Sequence, residues 1–228
     1  MLKKAFALFL LSATPAFAAK DCARSFESAA RALPAKLARL GYHSVASINI
    51  NNLVVEMAQV AVKGGDQKKI MAANRDGRSN GRATARWEVD ANGASISVAC
   101  AYWGQLPSKD VLSLHEFFGA LGYPDQDYRV SVSFWLLAHP VVQARFTEAQ
   151  KEKIVDFVRT LGGRQQFAGG VVGVGGGGEG MSVLYRIRRL ERELDQLNAA
   201  RTEEERQAAL RDIEVAFSSS GTFYVGPI

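Results

Sequence analysis

Apolar residues recur every three or four positions at Cys22, Phe26, Ala30, Leu33, Leu37 and Leu40, which draws one stripe along an amphipathic helix. Pro34 is expected to kink or divide that helix, and Gly41 to stop it. Over 44–62 the pattern turns to Ile, Val and Asn, with Val60 and Val62 alternating against Gln59 and Ala61, and one or two strands are expected. A sharper alternation follows. Arg82, Thr84, Arg86 and Glu88 point away from Ala83, Ala85, Trp87 and Val89, and Ser95, Ser97 and Ala99 from Ile96, Val98, Cys100 and Tyr102. Between these arms lies Asp90-Ala91-Asn92-Gly93, whose Asn and Gly tolerate positive φ, so the segment predicts a β-hairpin.

The helical period returns after Pro107. Ser108 is placed to cap a helix with Val111, Leu114, Phe118 and Leu121 on one face and Gly122 as its stop. Thr147 and Gln150 form a capping box for another, with Ile154, Val158 and Leu161 inward and Gly162 at its end. Between them, 128–138 alternates at Val130, Val132 and Phe134 and then becomes solidly apolar, so periodicity assigns it no element. Residues 162–180 hold ten of the 21 glycines and read as a flexible linker or loose loop. Gly173, Gly175 and Gly178 satisfy G-x-G-x-x-G, but a glycine run meets that spacing by chance. Only Val171-Val172 precede it and no P-loop lysine follows, so no nucleotide site is expected. Val183, Ile187, Leu190, Leu194 and Leu197 then step by four and three, a coiled-coil seam of about two heptads. Thr202 and Glu205 open a further helix with Leu210, Ile213 and Phe217, which makes a helical hairpin of the C-terminal part.

The 228 residues are enough for one domain or two, and 47% hydrophobic with 22% charged residues is the composition of a globular protein. The pattern predicts an α+β fold, a hairpin-containing sheet packed on helices followed by a helical arm. The N-terminus narrows the compartment. Lys3 and Lys4, the apolar run over 5–11 and Ala16-Phe17-Ala18 read as a signal peptide over 1–18. The division expected is therefore a leader over 1–18, an α+β domain over 19–162, a glycine-rich linker over 163–180 and the arm over 181–228. The leader's apolar run is too short for the roughly 20 residues of a spanning helix, and no later run is long enough, so no transmembrane anchor is expected. Ala19-Lys20-Asp21 before Cys22 lacks the small and branched apolar residues of a lipoprotein signal. The protein is expected in the periplasm or secreted.

Without the leader's two lysines, 26 basic residues face 23 acidic ones, a net charge of +3 that gives no argument for nucleic acid. The one basic excess, at Lys63, Lys68, Lys69, Arg75, Arg78, Arg82 and Arg86, is interleaved with Gly and Asn rather than aromatics and reads as a solvated loop. Cys22 and Cys100 are the only cysteines, and an oxidising compartment makes a disulfide between them the expectation. A catalytic thiol is the rival, but neither cysteine lies in a nucleophile motif. The bridge would pin the first helix onto the sheet.

Metal or histidine chemistry must run through His43, His115 and His139, the only histidines. His115-Glu116 opens a helix that follows a hairpin, with Gly119, Gly122 and Asp125 at offsets of four, seven and ten from His115. This segment, within 82–131, resembles the active helix of metzincin-type zinc peptidases, H-E-x-x-H-x-x-G-x-x-H/D. The resemblance implies a zincin-like fold, His115 and Asp125 as metal ligands, Glu116 as the general base, Gly122 as the turn and zinc as cofactor. It departs from the pattern at Gly119, which stands where the second histidine belongs, and Met181 offers no convincing Met-turn. His43 or His139 would have to complete the ligand set.

The segment is also similar to small exported bacterial proteins of unknown activity. The plainer reading makes His115 a hydrogen-bonded interior residue, Glu116 a solvated helix residue, and Gly119 a notch for an approaching element. The expectation is an exported, noncatalytic binding or structural module on a degenerate peptidase-like scaffold, without a cofactor. An active zinc metallopeptidase is the alternative. An adaptor that binds a protein partner through the C-terminal helices is compatible with the first reading.

Overall fold

The structure, a computed structural model, describes residues 14–65, 85–104, 106, 108–164, 171–175 and 178–218. It is an α+β arrangement in which a four-stranded sheet and a pair of two-residue strands are packed among helices. The charged start and apolar run of the expected leader lie outside the described residues. Helix α1 (Thr14–Arg39) runs unbroken through Pro34 and buries Phe26, Ala30, Leu33 and Leu37. Leu40, the last of the predicted stripe, lies beyond the helix and is exposed.

The strands expected over 44–62 are mostly replaced by a helix. β1 (Ser44–Val45) and β2 (Ile48–Asn49) make only a short antiparallel pair, after which α2 (Ile50–Met57) begins. Asn49 decides the change, because its side chain accepts a hydrogen bond from the Asn52 N–H and caps the helix. Ile50, Leu53 and Met57 then fall on one buried face. Only β3 (Ala61–Gly65) remains as a strand of useful length.

The hairpin is formed by β4 (Ala85–Asp90) and β5 (Gly93–Ala99), which pair antiparallel with Asp90 opposite Gly93. The Asp90 carboxylate accepts from the Asn92 N–H at 2.7 Å, and Gly93 takes φ 116°, the turn chemistry read from the sequence. β3 lies parallel to β5 on one side, and β6 (Val171–Gly175) lies antiparallel to β4 on the other. Part of the presumed glycine linker is therefore a sheet strand. The basic stretch over 66–84 lies outside the described residues.

The second hairpin arm ends sooner than its alternation suggests, since Cys100 begins the short helix α3 (Cys100–Trp103). Cys22 and Cys100 are disulfide-bonded, with Cα atoms 5.7 Å apart. Trp103 reinforces that junction, because its indole N–H donates to Ser25 and its ring lies 4.9 Å from Phe26. α1 is thus held at the end of β5 and packs along α4 (Lys109–Leu121), the helix of interest.

The segment 128–138 becomes α5 (Arg129–Ala138), buried at every position from Val130 to Ala138. A helix covered on all sides has no polar face, so its period is invisible in the sequence. α6 (Pro140–Arg145) and α7 (Glu148–Thr160) follow, the latter opened by the Thr147–Gln150 capping box. α8 (Gly178–Ala199) and α9 (Glu203–Ser218) form the expected hairpin of helices.

That hairpin does not offer its seam to a partner. Val183, Ile187, Leu190, Leu194 and Leu197 are each at most 1% exposed and belong to the same apolar core as α1, α4 and α5. Arg145 of α6 donates to the Asn198 carbonyl, and Phe157 of α7 meets Phe217 of α9. Among the described residues, no helix is long and apolar enough to cross a membrane.

Candidate functional site

α4 carries His115, Glu116 and Gly119, and the turn after it carries Asp125. Ser108 occupies the N-cap position of α4 but makes no side-chain cap bond; the Asp110 carboxylate, within the first turn, accepts the Val111 N–H instead. Burial raises the pKa of that carboxyl, and the Val111 bond opposes the shift. At the other end Gly122 takes φ 80°, and its amide and that of Tyr123 return to the Gly119 and Phe118 carbonyls. The chain therefore reverses immediately and brings Asp125 back beneath the helix.

His115 Nδ1 lies 3.0 Å from Asp125 Oδ2. A carboxylate can only accept, so this ring nitrogen carries the hydrogen. Asp125 Oδ1 accepts from the Val130 N–H at 2.6 Å and the Ser131 N–H at 3.2 Å. These are first-turn amides of α5, whose N-cap residue Tyr128 provides no side-chain bond. Asp125 is thus a displaced cap, and its side chain is 1% exposed.

The backbone it secures is strained. Asp127 and Tyr128 have φ of 55° and 59°, a left-handed conformation that costs non-glycine residues about 1–2 kcal/mol each. Three contacts hold it there. Asp125 ties down the following amides, the Tyr128 ring stacks on His115 with centroids 3.8 Å apart, and Arg186 of α8 donates to the Asp127 carbonyl at 2.8 Å. Burial lowers the Arg186 pKa, while Asp127 opposes the shift. The C-terminal helices thus reach the site directly.

The predicted zinc residues come together only as this pair. His43 is exposed, His139 begins α6, and among the described residues no three His, Cys, Asp or Glu side chains are grouped to hold a metal. The place of the missing second ligand is filled as well. A Cβ on Gly119 would lie 2.7 Å from Trp87 Cε2 and 2.9 Å from Cδ1, closer than real contacts allow. Gly119 is the seat of the Trp87 indole from β4. Glu116, the general base of the resemblance, is 3% exposed rather than solvated. The described residues do not fit a metzincin zinc group, and no catalytic step is derived through one.

A second polar cluster has no counterpart in the sequence reading. Glu56 of α2 accepts from the Tyr123 hydroxyl at 3.2 Å and from Arg164 Nη1 at 2.8 Å, while Arg164 Nε donates to the Leu121 carbonyl. Burial raises the Tyr123 pKa, and Glu56 adds to the shift. The cluster joins α2, the end of α4 and the end of α7. It borders a cleft of about 800 Å³ reaching the Asn92-Gly93 turn. Tyr123 and Arg164 lie 67 and 108 residues from Glu56, so no local motif announces them. The chain matches no family model, no curated protein and no solved structure.

Proposed function

We propose that the protein is an exported, noncatalytic binding or structural module in which the peptidase-like segment is a structural clamp. The observation that carries this reading is the inward use of Asp125, both of whose oxygens are engaged by His115 and by the first turn of α5. Packing of Trp87 against Gly119 supports it, because the face that a zinc helix presents to metal is occupied by an indole. The Cys22–Cys100 disulfide fits an oxidising compartment, which supports export.

The reading is tested on full-length protein matured in a periplasm and purified without chelator, by metal content and casein hydrolysis. The expected result is zinc well below one atom per chain and no hydrolysis above that of a Glu116→Gln variant. Close to one zinc per chain, with hydrolysis lost on Glu116→Gln, would overturn it in favour of a working metallopeptidase.

A further inference from the structure

α9 packs closely along α8 but stands off from α7, and between α7 and α9 lies a cavity of about 320 Å³. Its floor is Leu136 and Ile154, both at most 6% exposed. Phe146 and Ile213 form its sides, and the Phe157 and Phe217 rings, 4.7 Å apart, meet within its lining. The volume is at the lower end for small-ligand pockets. It suits one slender apolar chain.

Its polar groups are few. Lys153 and Gln150 stand one turn apart on the α7 wall, and Glu214 is on the α9 wall. Gln150 uses Oε1 to accept from the Thr147 backbone in the capping box, which leaves its amide hydrogens as donors toward a ligand. Lys153 is exposed and makes no ion pair with any described residue, unlike its neighbour Lys151, which is bound to Glu148. An apolar slot with a cation and an amide donor on one wall is complementary to an amphiphile with a single negative head. Glu214 opposes the same head from across the slot and confines it to the α7 side.

We propose that the α7–α9 groove binds one medium-chain free fatty acid, with its alkyl chain between Phe146, Ile154 and Ile213 and its carboxylate on Lys153 and Gln150. This goes beyond the proposed function and stands whether or not His115 holds a metal.

The test is calorimetric titration of delipidated full-length protein with octanoate, decanoate, dodecanoate and dodecanol. One-site saturable binding is expected, tightening about fourfold for each added methylene until the groove is full. Lys153→Glu should weaken dodecanoate about tenfold and leave dodecanol within about twofold, whereas Glu214→Gln should tighten dodecanoate. Leu210→Trp, at a partly exposed lining position, should fill the groove and weaken both ligands at least about tenfold, with Phe217→Trp as the second variant if the first misfolds by circular dichroism. No saturable binding would overturn the proposal. So would binding unchanged in a folded groove-filled variant, or equal losses for acid and alcohol in Lys153→Glu. A dimer that Leu210→Trp dissociates, without dodecanoate binding, would assign the groove to a second copy and equally overturn it.

Discussion

His115 and His139 both serve a helix N-terminus, by opposite hydrogen-bond roles. His139 does so directly, since its Nδ1 accepts the Val141 N–H at 3.3 Å in the first turn of α6. His115 does so through Asp125, donating from Nδ1 to a carboxylate that itself accepts two amides of α5. His139 must be unprotonated at that nitrogen, whereas protonating His115 leaves its bond in place. Each ring also leans on an aromatic, His139 on Trp135 and His115 on Tyr128. The lesson is that a histidine near a carboxylate in a peptidase-like spacing can be part of a capping relay, and that what the carboxylate's other oxygen holds, here two helix amides, tells which.

The largest effect is expected from breaking the indirect cap. Asp125→Ala removes a buried acceptor from His115, Val130 and Ser131 and frees the left-handed turn at 127–128, so chemical denaturation should show a loss of about 3–5 kcal/mol. A loss below about 1 kcal/mol would mean that Asp125 does not hold α5.

Gly119→His follows in size. Sequence alone suggests that this change restores the missing zinc ligand, but any side chain there must displace the Trp87 indole. We expect destabilisation of about 1–3 kcal/mol and no gain in zinc affinity over the parent by calorimetry. A folded variant with tighter zinc binding would break the comparison in favour of the peptidase geometry.

The direct cap gives the smallest effect and the one that depends on pH. Burial lowers the His139 pKa, with Lys36 of α1 adding to the shift and Asp195 of α8 opposing it. A depressed imidazole pKa stabilises the fold above the ordinary histidine value of about 6.5, and this contribution falls as pH drops through that value toward the lower folded one. His139→Ala should cost about 1 kcal/mol at pH 8 through the lost cap. Its stability should also vary less with pH between 7 and 5 than that of the parent, in urea melts at each pH. An identical slope in both proteins would remove His139 from the titration.

Elements with one wet and one dry face were readable in the sequence: α1, the hairpin, α7, and the α8–α9 pair with its buried seam; α4, which has no exposed position, was readable from its apolar spacing and its Gly122 stop. α5 was not, because Val130, Val132 and Phe134 are buried together with Ser131 and Ser133, and a helix without a polar side has no period to see. β6 was hidden by its glycines, since a strand of Val171–Gly175 is specified by pairing with β4 rather than by propensity. At the site, His115, Asp125 and the notch at Gly119 were legible, and the plainer reading already made His115 a hydrogen-bonded residue and Gly119 a place of close approach, but the partners were not. Trp87 lies 32 positions before Gly119, and Arg186 lies 59 after the carbonyl it binds. Only tertiary contact shows that one fills the notch and the other braces the turn.

The most direct test of the clamp is ¹⁵N NMR of the histidine side chains in the native protein, recorded before and after one molar equivalent of zinc. The account predicts that His115 is protonated at Nδ1, that His139 above its pKa is protonated at Nε2, and that zinc moves neither. A His115 resonance that shifts to a metal-bound position on zinc addition, and no longer does so in Asp125→Ala, would contradict it.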